Sequence, residues 1–193
     1  MVLGAWNRAI LTPAWIGQSV LGLAPNSPTE ILVPLDGFAP FQVRHNGVTV
    51  IPVPGQLLFQ LDEPSEPLLA RGMEAAQRAI SELPRTPLHG CGINIRYSSP
   101  EAPISLLTNT RCSTEQLFSD RGYELRVRRR GETLAFKEGS LNVIADIPTI
   151  GQCKLTLNFE RQGTSSDQIL PWLLRPAAEY IEEAARIIEL IAR

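Results

Sequence analysis

The chain reads as one pattern written twice, and no other feature narrows its possible folds as much. In the first half, Val50-Ile51 leads through Pro52 and Pro54 to Gly55-Gln56 and an apolar run, Leu57 to Leu61. In the second, Val143-Ile144 leads through Pro148 to Gly151-Gln152 and the run Cys153 to Phe159. The interval between Val-Ile and Gly-Gln is longer in the second half. The repeat therefore lies in the organisation of elements and not in a strict period.

Local signals around these anchors give each half the same succession of elements. Trp6 to Leu11 reads as a strand, and Thr12-Pro13 as a helix start with Thr as cap and Pro in the first turn. Glu30 to Leu35 is a further strand, closed by the turn dipeptide Asp36-Gly37. Phe41, Val43 and His45 alternate with Gln42 and Arg44, and Asn46-Gly47 predicts a tight hairpin returning through Val48 to Val53. Pro54-Gly55 turns the chain into Gln56 to Leu61, and Ser65 to Leu83 carries apolar residues at helical spacing.

The second half opens with a strand at His89 to Ser98 and an irregular connection at Ser99 to Arg111. Ser113 and Gln116 have capping-box spacing for a short helix. Strands follow at Tyr123 to Arg130, turned at Gly131, then at Thr133 to Lys137, Leu141 to Ile147 and Cys153 to Glu160. A helical region begins at Ser166-Asp167, is divided by Pro171 and Pro176, and ends at Arg193.

Residues 1–84 and 85–193 thus form two similar β-α-β-β-β-β-α halves. Antiparallel strands with helices gathered on one face give an α+β class, with both halves sharing a sheet. This succession resembles the duplicated saddle of the TATA-binding proteins. The resemblance covers the order of elements and brings no matching functional motif, so it implies a fold alone and nothing about DNA recognition carries over from it.

Bulk properties exclude several classes. With 193 residues, 44% hydrophobic and 20% charged, the chain can bury a sizeable core. A net charge of −2 exerts no general pull on nucleic acid or anionic membrane. Three cysteines, Cys91, Cys112 and Cys153, form no CxxC pair, which argues against a disulfide framework or a metal site and for a reducing, cytoplasmic setting. Residues 9–24 are fairly apolar, but Pro13 interrupts them and only Arg8 precedes them as a basic lead, so they read as part of the fold. No apolar run reaches the roughly 20 residues needed to span a bilayer.

Two surfaces are candidates for chemistry. Alternation puts Tyr123, Leu125 and Val127 on one side of their strand and Glu124, Arg126, Arg128 and Arg130 on the other. Asn94 and Arg96, and Lys154, Thr156 and Asn158, fall on the polar faces of their own strands. If these faces coincide, Arg96, Arg126, Arg128, Arg130 and Lys154 form a basic open sheet for anions or nucleic acid. The plainer reading is a solvated sheet face neutralised by Glu124, Glu132 and Glu160. The second candidate is Trp172, Leu173 and Leu174 ahead of the last helix, as a docking edge for a partner or as core.

Catalytic patterns are absent from the sequence. His45 and His89 sit at strand ends with no nucleophile signature near a cysteine, and no phosphate-loop, dinucleotide, zinc-protease or nucleophile-elbow motif occurs. No cofactor is implied. The expectation is a non-catalytic interaction module that assembles with protein partners or with itself. Anion or nucleic-acid binding is the alternative, and an enzyme with an unrecognised site is the second alternative.

Overall fold

The computed structural model describes residues 1–25, 27–35, 39–100, 121, 124, 126–148 and 150–192. It is an α+β protein whose described residues form nine strands in the order β2-β3-β4-β5-β1-β6-β9-β8-β7. Strands β1 (Val2–Gly4), β2 (Glu30–Leu32), β3 (Gln42–His45), β4 (Val48–Val53) and β5 (Gln56–Leu61) come first. Strands β6 (Leu88–Ser99), β7 (Val127–Phe136), β8 (Gly139–Pro148) and β9 (Cys153–Gln162) follow. Among the described residues the helices are α1 (Pro13–Trp15), which continues into a π-helical turn at Ile16–Val20, then α2 (Glu66–Glu82), α3 (Ser166–Leu173) and α4 (Ala177–Ala192). None is long and apolar enough to cross a membrane.

The chain packs as two compact units, Met1–Gly92 with Arg161–Ile181, and Ile93–Glu160 with Glu182–Arg193. In the first unit the hairpins follow from turn chemistry. Asn46 and Gly47 take φ of 46° and 80°, the left-handed pair that a tight β3–β4 turn requires. Pro52 lies in β4 beyond the last residue paired with β3, so no partner there needs its missing N–H. Register places Val43, Val50 and Phe59 on one face, with Val2, Leu57 and Cys91 on the same side further along. That side is packed: Val2, Val43, Val50, Leu57 and Cys91 are all buried.

Helix α2 covers β4 and β5. Ser65 precedes it, Leu83 ends it, and Leu69, Met73, Ala76 and Ile80 form its buried stripe. Helix α3 packs on α2, and the Gln77 amide Nε2 donates to the Leu173 carbonyl at 2.7 Å.

Three expectations change. The first strand is Val2–Gly4 and not Trp6 to Leu11. There, Asn7 accepts at its Oδ1 from the Ala9 N–H and at its carbonyl from Ile10 and Leu11, which turns the chain. Second, the strands placed at Tyr123 to Arg130 and Thr133 to Lys137 are one strand, β7, running through Gly131 without a break in its ladder to β8. The reversal comes at Lys137 (φ 53°), six residues later. Third, Pro171 sits inside α3, and the helical region divides at residues 174–176. The Asp36-Gly37 turn, the Ser99 to Arg111 connection beyond residue 100, the cap at Ser113, and Tyr123 and Leu125 lie outside the described residues.

Candidate functional site

The second unit presents a three-strand surface whose faces are fixed by its ladders. Directly opposed residues of an antiparallel pair share a face. Strand β8 pairs with β9 through Leu141↔Phe159, Val143↔Leu157 and Ala145↔Leu155. Leu141, Ala145, Ile147, Leu155, Leu157 and Phe159 are buried, so this is the packed face. The other face carries Asn142↔Asn158, Ile144↔Thr156 and Asp146↔Lys154, extended onto β7 by Thr133, Gly131 and Arg129.

A hydrogen-bond network crosses that open face. The Thr133 hydroxyl lies 2.8 Å from Asn142 Oδ1, and the Asn142 and Asn158 amides donate to Glu160 Oε2 at 3.2 and 3.3 Å. Asn158 Oδ1 is buried and has no hydrogen-bond partner among the described residues. Arg129 grips Asp146 with two bonds, at 2.6 and 3.1 Å. That guanidinium, with a smaller effect from Lys154, holds the Asp146 carboxyl below the usual carboxylate range against partial desolvation. Four charges share this surface: Arg129 and Lys154 are offset by Asp146 and Glu160.

The five basic residues read from the sequence do not converge. Arg128 opposes Ile147 and Arg130 opposes Ala145, which puts both on the packed face and not on the open one. Both are half-buried there, and Arg130 Nε lies 3.5 Å from Glu132. Lys154 is exposed on the open face, Arg96 is exposed on β6, and Arg126 is exposed just ahead of β7. The reason is positional. Strand β7 ends the sheet, so its own apolar alternation does not mark a core side; the ladder to β8 does. Arg129, absent from the sequence-based set, is the arginine that faces Lys154 across Asp146.

The apolar candidate also divides. Trp172 and Leu173 are buried at 2% and 4%, while Leu174 is 66% exposed. The Trp172 ring meets Tyr180 edge to face with centroids 5.6 Å apart, and the Tyr180 hydroxyl donates to the Trp172 carbonyl at 2.8 Å. Trp172 and Leu173 are therefore core, and only Leu174 is available to a partner.

Other places offer less chemistry. An open depression of about 540 Å³ is lined by Pro28, Thr29, Glu30, Arg44, His45, Asn46 and Gly47. Its cation is already engaged, since Arg44 lies 2.6 Å from Asp62 and 3.9 Å from Glu30. Burial pushes the Cys91 thiol up to about 12, so it stays protonated and a poor nucleophile at neutral pH. Cys153 is also buried and shifted upward, again chiefly by desolvation. Among the described residues no three His, Cys, Asp or Glu side chains gather to hold a metal ion.

The outer edge of β7 is the remaining feature. This strand ends the sheet order, and from Arg129 to Ala135 no further strand pairs with it among the described residues. Leu134 is 43% exposed on this edge despite opposing buried Leu141. Comparison with protein-family models, with curated proteins and with solved structures finds no significant match.

Proposed function

We propose that this chain is a non-catalytic interaction module, assembling with a protein partner or with itself, and that the β7 edge is its docking surface. The observation that carries this reading is the seven-residue run Arg129–Ala135 at the end of the sheet. Outward backbone N–H and C=O groups of an edge strand are a template for a further strand. We read the setting as reducing and cytoplasmic, on the free, buried thiols of Cys91 and Cys153. A duplicated, saddle-like architecture is part of the same proposal. The strand order supports it, because β5 lies beside β1 as β9 lies beside β6.

A photo-reactive residue at position 134, on the edge, tests the docking surface in expressing cells. Controls at Leu174 and at Leu190, 54% exposed on α4, report general stickiness. Adducts at 134 that greatly exceed those at both controls are the expected result. Equal yields at the three positions, or none at 134, would contradict the proposal.

The alternative, anion or nucleic-acid binding through a basic sheet face, is favoured by Lys154, exposed on the open face, and by Arg96, exposed on β6. The near-balance of charge on that face weighs against it. Binding that falls steeply with salt is the signature it requires.

A further inference from the structure

The edge reading leaves the occupant open, and three features of β7 choose one. The first is Gly131. Its ladder to β8 is unbroken on both sides, its φ is not in the left-handed region, and an added Cβ would meet nothing closer than the Val143 carbonyl oxygen at 4.0 Å. Among the described residues, neither turn, bulge nor packing asks for glycine there. In a strand interior, glycine often marks the close approach of another backbone or of a ligand.

The second feature is charge order about that glycine. Arg130 and Glu132 flank it with opposite signs, both on the packed face. When two copies of one strand pair antiparallel about a twofold axis, residues opposite each other have a constant sum of positions. An axis at Gly131 sets Arg130 against Glu132 twice, Arg129 against Thr133 twice, and glycine against glycine. An axis at residue 130 opposes two arginines, and an axis at residue 132 opposes two glutamates, arrangements that like charges disfavour. Of these three registers, the glycine-centred one opposes Arg130 to Glu132 on both sides and sets no like charges against each other.

The third feature is the edge itself. Proline and bulges are two of the devices that guard edge strands against association. From Arg129 to Ala135 there is no proline and no bulge, and the arginines are followed by Glu132.

We infer that the partner is a second copy of this chain, with two β7 edges pairing antiparallel about Gly131 and Arg130 opposing Glu132 on each side. This rests on the edge reading proposed above. One strand pair forms a small interface, so association should be weak and dependent on concentration.

Sedimentation equilibrium on the purified chain tests this. Wild type should rise from 21.3 kDa toward twice that mass as concentration increases. Glu132→Arg sets arginines against arginines and should weaken association by about tenfold or more. The double variant Arg130→Glu/Glu132→Arg restores opposite charges across the strand pair, as well as the ion pair between these two residues within each chain, and should restore association. Unchanged circular dichroism in each variant confirms folding. Monomeric wild type at every concentration overturns the inference, and so does a dimer indifferent to Glu132→Arg. Heterologous adducts at position 134 from a monomeric chain would reject the second copy yet leave the docking edge standing. Absence of both adducts and dimer would reject both.

Discussion

Replacing Trp172 by alanine should cost about 3–5 kcal/mol of folding stability, as large aromatic truncations in a packed core do. Leu174→Ala, two residues on, should change stability by less than about 0.5 kcal/mol. The contrast follows from burial: Trp172 is 2% exposed and packed against Tyr180, while Leu174 is 66% exposed. The loss of Trp172 would also remove the ring beneath the Arg175 guanidinium, which lies 6.0 Å from its centroid. Domain stabilities are typically about 5–15 kcal/mol, so this single truncation takes a large share. Urea unfolding followed by circular dichroism measures both variants. A Trp172→Ala midpoint close to wild type would mean that the side chain is not core, and would reopen its role as a docking residue.

Gly90→Ala should cost about 3 kcal/mol, at the upper end of the penalty for overpacking a filled interior. Gly90 lies in β6 opposite Leu3 of β1, and an added Cβ would sit 2.8 Å from the Arg161 carbonyl oxygen and 3.4 Å from the Gln162 Cα. Both atoms are backbone, and this stretch is held locally by the Gly163 N–H, which donates to the His89 carbonyl at 3.3 Å. A side chain could rotate away; a strand must move. Gly131→Ala is the internal control, since its Cβ would enter open space and a strand interior disfavours glycine. On dilute protein, where the proposed β7 pairing is dissociated, its thermal midpoint should stay at or slightly above wild type, whereas that of Gly90→Ala should fall by several degrees. Equal effects at the two positions would contradict the packing described for β6.

The sequence was most legible where one or two adjacent residues decide the conformation. Asn46-Gly47 and Pro54-Gly55 turned the chain at the expected places, and β4, β5 and α2 have the expected bounds, because positive φ, proline and helical periodicity are local properties. The candidate site was not legible in the same way. Which face Arg128 and Arg130 occupy depends on Ile147 and Ala145, residues up to nineteen positions away that oppose them in the ladder. Alternation within β7 gives two faces but does not say which is packed, and at a sheet edge both are partly exposed. Glycine misled for a related reason: Gly131 looks like a turn residue, yet the left-handed conformation falls at Lys137. For Trp172 the apolar pattern was visible, and whether it met Tyr180 or a partner was a tertiary matter.

Hydrogen exchange at the amides of Arg129–Ala135, measured on dilute and on concentrated protein, tests most directly whether the β7 edge is where this chain meets a second one. Outward-facing amides should exchange rapidly when dilute and become protected on concentration, while the inward amides bonded to β8 stay slow at both. Protection of the outward amides that is the same at both concentrations would contradict the account.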